Sequence, residues 1–285
     1  MDTAAANQGA AVSLAFSTLG CGQLELTEVL DLAKRRSLPA VELRTLGGST
    51  DILEYFRHRF GSPDRLRSLL DTGDIEIVSI DTSVNAIDAS TDDQTMLIEL
   101  MPWVAAAGAR RIRVFDGGTS GDDSEIARAI ELVDWWEVKK NGEGWQADLV
   151  IETHDALAQP GALQRFLDRS PNGQILWDTH HTWKDGGEAP ARTMERLRGR
   201  TTHLHVKDSV RTSVGGGFRY VPPGEGEFLF SELIEAIESA CFGGIISLEW
   251  ERHWYPELPS LEIALDGFQR TLSMFSSASA DAQQP

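Results

Sequence analysis

Carboxylate and imidazole side chains follow four short apolar segments in the C-terminal half of the chain. Six of the seven histidines fall within residues 154–253, at or near the ends of these segments. Short apolar runs bounded by turn residues are typical of buried strands. Carboxylates and histidines are seldom fully buried unless they are paired or bound to a metal. The pattern therefore predicts a metal or acid–base site at one end of a parallel sheet.

Side-chain alternation along these strands predicts which groups meet. With the apolar neighbours facing helices, the inward positions are Glu152, Asp178, His203, His205 and Glu249. Neighbouring strands lie about 4.8 Å apart, so these groups converge on one mouth. Three carboxylates this close repel one another unless a cation lies between them. One histidine with three oxygen ligands suits Mn²⁺, Mg²⁺ or Co²⁺ and leaves two octahedral positions for substrate. The alternative is that they are structural polar groups satisfied at strand ends.

Strand-like and helix-like segments alternate along the whole chain. Predicted strands cover 12–16, 40–44, 75–81, 111–115, 148–152, 174–178, 202–205 and 245–249. Predicted helices cover 24–36, 64–72, 94–107, 123–139, 162–168, 191–197, 230–240 and 260–275. Such alternation indicates an α/β fold with parallel strands, and eight repeats predict a (β/α)8 TIM barrel.

The chain has no linker-like composition break, so we expect a single domain over residues 1–285, with a core at 12–275 and a disordered tail at 276–285. The Gly/Pro-rich stretch 211–227 is predicted to be a long loop on the catalytic face. A doubly wound open sheet is the alternative fold, but Gly20 and Gly22 form a G-x-G without a third glycine in register.

The composition excludes several classes of protein. The chain has 285 residues, 41% of them hydrophobic, and a net charge of −18. No basic stripe is visible, which argues against a nucleic-acid partner. The two cysteines have no zinc-finger spacing. Because no apolar stretch reaches about 18 residues and no signal peptide is evident, we expect a cytoplasmic protein with no membrane partner.

Several motifs resemble those of one enzyme superfamily. They are VIETHD (150–155), ILWDTHHTW (175–183), THLHVKDS (202–209), GEGEF (224–228) and ISLEWE (246–251). Together they resemble the sugar isomerase/epimerase-like TIM-barrel superfamily, over about residues 12–270. This superfamily includes xylose isomerase-like proteins, ketose 3-epimerases, hydroxypyruvate isomerases and inosose dehydratases. We therefore expect a (β/α)8 barrel enzyme, but the motifs do not determine its reaction.

The resemblance implies a role for particular residues. The divalent metal (Mn²⁺, Mg²⁺ or Co²⁺) would be held by Glu152, Asp178, His205 and Glu249. Glu152 and Glu249 would also be the catalytic acid–base pair, moving a proton beside the substrate carbonyl through an enediolate. His181 matches a substrate-binding histidine of the family. Arg211 resembles an arginine that contacts substrate oxygens.

Three further residues are candidates for substrate binding. Glu42 shares inward parity with Arg44, so the two could form an ion pair in the barrel floor or line the pocket. His154 could support Glu152 or touch the substrate. Lys207 could donate to the substrate, act as an acid–base group, or form a salt bridge with the adjacent carboxylate at 208.

We expect the substrate to be a small sugar or keto-polyol, with a non-phosphorylated one favoured. The first alternative is a metal-dependent dehydratase of the inosose or 3-dehydroshikimate type, using the same site. The second is a non-catalytic barrel with a vestigial site. The AP endonuclease branch is disfavoured because the first 57 residues contain no histidine. By analogy with the family, we also expect a homodimer or homotetramer.

Overall fold

Eight parallel strands close into a barrel in a computed structural model that describes residues 12–71, 73–212 and 217–281, with side chains as far as 273. The strands are β1 (Ser13–Ser17), β2 (Ala40–Leu43), β3 (Glu76–Asn85), β4 (Arg111–Phe115), β5 (Asp148–Glu152), β6 (Gln174–Asp178), β7 (Thr201–Val206) and β10 (Ile245–Leu248). Their order around the barrel is β1-β10-β7-β6-β5-β4-β3-β2. The predicted (β/α)8 barrel is confirmed.

Helices surround the barrel. They are α1 (Leu26–Arg35), α2 (Ile52–Phe60), α3 (Pro63–Leu70), α4 (Thr91–Ala107), α5 (Asp123–Glu143), α6 (Pro160–Arg169), α7 (Thr179–Lys184), α8 (Pro190–Arg196), α9 (Phe230–Ser239) and α10 (Leu261–Asp281). Local signals set their ends: proline opens α3, α6 and α8. Asp122 caps α5 by accepting from two backbone N–H groups. In the described part of the chain, no helix is long and apolar enough to cross a membrane.

The structure differs from the sequence prediction in three places. Helix α2 was not predicted, because its aromatic residues have weak intrinsic helix propensity and become helical by packing. Helix α7 follows β6 without any turn residue and carries no apolar period. The stretch 211–227 is not all loop, since β8 (Asp208–Arg211) pairs antiparallel with β9 (Phe218–Val221). Residues 213–216 lie outside the described residues.

The C-terminal helix continues past the predicted end at residue 275, to Asp281. Residues 282–285 lie outside the described residues, so the disordered tail at 276–285 stays a prediction.

The barrel interior changes character along its axis. At the amino ends of the strands, a small apolar cluster of Ala15, Ala40, Val78 and Ile245 fills the barrel. Further along the same strands, the next residues on the inward face are polar or charged, as at Ser17, Glu42 and Ser247. The large apolar core lies instead between the barrel and its helices, where it includes Phe16, Trp136 and Trp177. Charged groups are therefore concentrated at the carboxyl end of the barrel, which is the catalytic face of this fold.

Candidate active site

The carboxyl ends of β5, β6, β7 and β10 bring four titratable side chains together. Glu152 and Asp178 are the last residues of β5 and β6. His205 lies near the end of β7, and Glu249 directly follows β10. Each offers one ligand atom, and these four atoms lie within 4.8 Å of one another. All four residues are buried. We call this group the four-ligand cluster. Strand alternation predicts these four residues together with His203, which lies instead against Glu42.

The imidazole of His205 lies between two sets of carboxylates. Its Nδ1 is 3.4 Å from Glu152 Oε1 and 3.3 Å from Glu249 Oε2. Its Nε2 is 2.9 Å from Glu42 Oε1. Burial disfavours the charged ring, but Glu42 and the two cluster glutamates outweigh it and raise the pKa of His205 well above its ordinary value. The surrounding carboxylates therefore favour the charged form of this ring.

Several atoms of the four-ligand cluster are buried without a hydrogen-bond partner. They are Oε1 and Oε2 of Glu152, Oδ2 of Asp178 and Nδ1 of His205. Their neighbours are close, but the angles do not satisfy hydrogen-bond geometry. Buried polar atoms are normally paired, because an unpaired one costs about 1–3 kcal/mol. Oxygen-rich donors that converge and lack partners fit a divalent cation such as Mn²⁺ or Mg²⁺.

Buried carboxylates also outnumber buried cationic side chains around this cluster. The carboxylates are Glu42, Asp81, Glu152, Asp178, Glu249 and Glu251, and the cations are Arg44, Arg113 and Lys207. Buried charge is stable only when it is compensated. Burial and the nearby Glu42 raise the pKa of Asp81 well above its ordinary value, which disfavours its charged form. A divalent cation would offset the excess of negative charge on the other carboxylates.

Asp178 divides its two carboxylate oxygens between helix α7 and the cluster. Oδ1 accepts from the backbone N–H groups of His180 and His181, both at 2.9 Å, and so caps α7. Oδ2 faces the cluster, 2.9 Å from Lys207 Nζ. Because α7 begins where β6 ends, the helix cap holds this carboxylate with its second oxygen turned toward Lys207 and the cluster.

The ammonium group of Lys207 is buried at the mouth. Its Nζ lies 2.9 Å from Asp178 Oδ2 and 2.5 Å from both Glu249 Oε2 and Glu251 Oε1. Burial opposes the charged amine, but the three carboxylates outweigh it and raise the pKa of Lys207 well above its ordinary value. The salt bridge with Asp208 considered from the sequence is wrong. Asp208 instead accepts from backbone N–H groups of the loop after β9.

Glu152 has a cation of its own below the mouth. The buried Arg113 places Nε 3.1 Å from Glu152 Oε2 and NH2 3.7 Å from Asp81 Oδ2. Burial and the other cluster glutamate oppose ionisation, but Arg113 and His205 outweigh them and lower the pKa of Glu152 to about 2. Glu152 is therefore ionised at neutral pH.

Glu42 and Arg44 do not form the ion pair that was one of the two hypotheses from their inward positions on β2. Glu42 is fully buried and lies against His203 and His205 instead. Arg44 donates to the Thr50 carbonyl oxygen and to another hydroxyl at the mouth. Glu42 therefore lies beneath His205 rather than in an open pocket.

Two predicted substrate-binding histidines lie together at the rim. The rings of His154 and His181 are 4.4 Å apart, and His181 Nε2 is 3.4 Å from Lys207 Nζ. His154 Nδ1 lies 3.1 Å from Asp155 Oδ2. Burial lowers the pKa of His154, but Asp155 and Glu152 outweigh it and raise the pKa to about 9. Both rings therefore border the entrance to the four-ligand cluster.

Arg211 is not brought to the cluster. Its side chain is 72% exposed and its Nε lies 3.7 Å from Glu227 Oε2. The guanidinium also lies over the Phe218 ring, 5.8 Å from the ring centroid. The reason is that β8 leaves the barrel and pairs with β9. The number of residues between His205 and Arg211 therefore does not predict where the Arg211 side chain lies.

Sequence reasoning missed two buried aspartates that organise the loops around the mouth. Asp116 accepts backbone N–H groups from residues 117, 154, 155 and 157. Asp208 accepts N–H groups from Gly224, Gly226 and Phe228, and a Cβ on Gly226 would collide with its carboxylate. The glycines of the GEGEF motif, which the sequence does display, were the available signal.

Family comparison agrees with this geometry. The family described as "Xylose isomerase-like TIM barrel" matches residues 30–273. The chain belongs to this family. No curated protein matches it.

Solved structures share the fold at low sequence identity. The IolI protein with a bound zinc atom is 16% identical, with a TM-score of 0.73 over 91% of this chain and 96% of that one. The probable 3-DHS dehydratase AsbF from Bacillus anthracis is 18% identical, with a TM-score of 0.69 over 90% and 97%. A D-tagatose 3-epimerase-like protein is 16% identical, with a TM-score of 0.65 over 94% and 99%. The same fold thus occurs in proteins named for different reactions.

Proposed function

We propose that the protein is a divalent-metal-dependent isomerase or epimerase acting on a small ketose, aldose or keto-polyol. The observation that carries this proposal is the four-ligand cluster, whose converging buried atoms lack hydrogen-bond partners. Glu152, Asp178, His205 and Glu249 would hold the metal, with Mn²⁺, Mg²⁺ or Co²⁺ preferred on donor type. Bound there, the metal would polarise a substrate carbonyl and make the neighbouring C–H more acidic.

The two cluster glutamates would move the proton. They approach His205 Nδ1 from separate strands, at 3.4 Å for Glu152 and 3.3 Å for Glu249. Carboxylates on two sides of a substrate could remove a proton from one face and return it from the other. Arg113 would hold Glu152 in place, and Lys207 would hold Glu249.

Rim residues would bind the remaining substrate oxygens. His181 and Lys207 present nitrogen atoms 3.4 Å apart beside the cluster, which suits a pair of hydroxyl groups. His154 would border the same space, with its ring against that of His181. Arg211 would contribute little, because its side chain is exposed and lies against Glu227.

A dehydratase of the inosose or 3-dehydroshikimate type is the second candidate function. The observation that favours it is the Lys207 ammonium, 2.5 Å from Glu249 Oε2. Elimination needs a proton for the departing hydroxyl after the first proton has been removed, and an adjacent ammonium could supply it. The fold shared with the probable dehydratase AsbF is compatible with this reaction.

A substrate panel in D2O would test the two functions. The metal-free protein would be reloaded with Mn²⁺, Mg²⁺ or Co²⁺ and incubated with ketoses, aldoses, inososes and 3-dehydroshikimate. The product of an isomerase or epimerase would contain deuterium and keep all the heavy atoms of the substrate. The product of a dehydratase would be lighter than the substrate by one water. Failure to bind any of the three metals would contradict both functions.

Other expectations remain proposals. We propose a small-molecule partner and no nucleic acid, because the candidate site is enclosed and the net charge is −18. The homodimer or homotetramer and the cytoplasmic location stay predictions.

A further inference from the structure

A second layer of buried side chains lies beneath the four-ligand cluster. It contains Glu42 on β2 and His203 on β7, both fully buried. The His205 ring separates the two layers, with Nδ1 facing the cluster and Nε2 facing Glu42. Nε2 lies 2.9 Å from one Glu42 oxygen and 3.0 Å from the other. Glu42 is thus too deep to reach a substrate at the mouth.

The position of Glu42 decides which nitrogen of His205 can bind a cation. A neutral imidazole has one N–H, and the other nitrogen carries a lone pair. With its proton on Nε2, His205 donates to Glu42 and directs the Nδ1 lone pair at the cluster. The opposite arrangement would place a lone pair against the Glu42 oxygens. The carboxylate therefore favours the tautomer that can ligate through Nδ1.

Glu42 is itself held from the other side. His203 Nε2 lies 2.8 Å from Glu42 Oε2, and Ser247 Oγ lies 2.7 Å from the same nitrogen. Ser247 is on β10, next to β7, and pairs in register with His205. These contacts restrict the Glu42 side chain, so the acceptor for His205 has a fixed direction. In the described residues, Ser247 has no recorded hydrogen bond to His205 or to Glu42.

We propose that Glu42 is a positioning residue that fixes the tautomer and orientation of His205 toward the metal, rather than a substrate ligand. This inference rests on the proposed function, since it assumes that the four-ligand cluster binds a divalent cation. It assigns to strand β2 a part in metal binding although β2 contributes no ligand.

The test compares Glu42→Gln with the control Glu76→Gln, which makes the same chemical change at the exposed amino end of β3. Mn²⁺ affinity would be measured by calorimetry on metal-free protein, together with thermal unfolding of the same samples. Loss of a partner that orients a metal ligand typically weakens affinity by about 10–100-fold. We expect a loss in this range for Glu42→Gln and an affinity within about 3-fold of the wild type for Glu76→Gln. A purely structural role would lower the unfolding temperature and leave the affinity of the folded protein unchanged.

A spectroscopic measurement and a second variant complete the test. In the zinc-loaded wild type, long-range ¹H–¹⁵N spectra should show His205 protonated at Nε2. If Glu42→Gln does not fold, Glu42→Asp replaces it in the test. This variant keeps the negative charge but moves it away from His205 by one methylene, so we expect the same loss of Mn²⁺ affinity. If a folded variant binds Mn²⁺ with wild-type affinity, the positioning role of Glu42 is wrong and the proposed function still stands. A wild-type protein that binds no metal would overturn it together with the proposed function.

Discussion

Asp116 and Asp178 stand in comparable places but in different surroundings. Asp116 directly follows β4 and Asp178 ends β6, and both are fully buried. Each also belongs to a group of histidine and acidic side chains that is close enough to hold a metal; that of Asp116 includes His154 and Asp155. Both oxygens of Asp116 accept backbone N–H groups. By contrast, Asp178 Oδ2 accepts no backbone N–H group; it faces the cluster and lies 2.9 Å from the Lys207 ammonium.

The comparison shows that residue types and spacing do not suffice to identify a metal site. The Asp116 group is satisfied by the backbone and holds the loops after β4 and β5 together. In the four-ligand cluster, the converging atoms face one another and the cations Arg113 and Lys207 rather than backbone N–H groups, and buried carboxylates outnumber the buried cationic side chains around them. What distinguishes the two groups is therefore the balance of hydrogen bonds and charge around each carboxylate.

The largest expected effect is on catalysis at the four-ligand cluster. Glu249→Gln should lower kcat by about 1000-fold, because the acid–base carboxylate is lost while the side-chain volume is kept. Steady-state kinetics on the substrate found in the panel would measure this. Glu76→Gln, at the opposite end of the barrel, is the control and should retain wild-type kcat. A Glu249→Gln enzyme within about tenfold of the wild type would rule out the acid–base role.

Metal-dependent stability should separate the two aspartates directly. Mn²⁺ at 100 times its Kd should stabilise the wild type by about 2.7 kcal/mol, which raises Tm by roughly 5–10 °C. Asp178→Asn should lose most of this increase, and a chelator should remove it from the wild type. Asp116→Asn should unfold at a lower temperature but keep the increase. The same metal response in both variants would contradict the distinction.

A smaller effect should distinguish the rim residues. His181→Gln should lower kcat/KM by about tenfold, because the ring borders the cluster and contacts Lys207. Arg211→Ala should change kcat/KM by less than about 3-fold, since its side chain is 72% exposed. Kinetics of both variants on one substrate would check this. A larger loss for Arg211→Ala would show that the β8–β9 hairpin reaches the substrate.

The smallest effect is a pH dependence confined to Asp116. Burial raises the pKa of Asp116 to about 7, although hydrogen bonds from the backbone N–H groups of Asp155 and Leu157 lower it. Because the folded-state pKa exceeds the ordinary value of 3.8, the fold favours the protonated form. Stability from this group is complete below about pH 4 and is lost as the pH rises through 7. Asp116→Asn should therefore be destabilised relative to wild type by about 2 °C less at pH 8 than at pH 6.5, which corresponds to about 0.8 kcal/mol. Thermal melts at both pH values would show whether the gap stays constant.

Much of this architecture could be predicted from local patterns. The bounds of β4, β5 and β6 agree with the predicted strands, because each is a short apolar run between turn residues. Alternation within such strands also grouped Glu152 and Glu249, since neighbouring parallel strands end at the same edge. Arg211 shows the limit, because a chain that leaves the barrel no longer follows its periodicity.

The partners of the buried charges could not be predicted in the same way. Lys207 lies against Glu249 and Glu251 rather than its sequence neighbour Asp208. Arg113 on β4 contacts Glu152 on β5 and Asp81 on β3, a choice that the strand pattern alone does not predict. These choices depend on stagger between strands and on which carboxylates already accept backbone N–H groups. Neither quantity is visible from the order of residues.

The sequence by itself determined the barrel and the four residues at its mouth, because the hydrophobic period and the strand ends are local properties. Only the tertiary structure decided that both oxygens of Asp116 accept backbone N–H groups, that one oxygen of Asp178 faces the cluster and Lys207, and that Glu42 lies beneath His205. The physical reason is that hydrogen-bond satisfaction and charge balance depend on every atom around a buried group, and residues far apart in the chain supply those atoms.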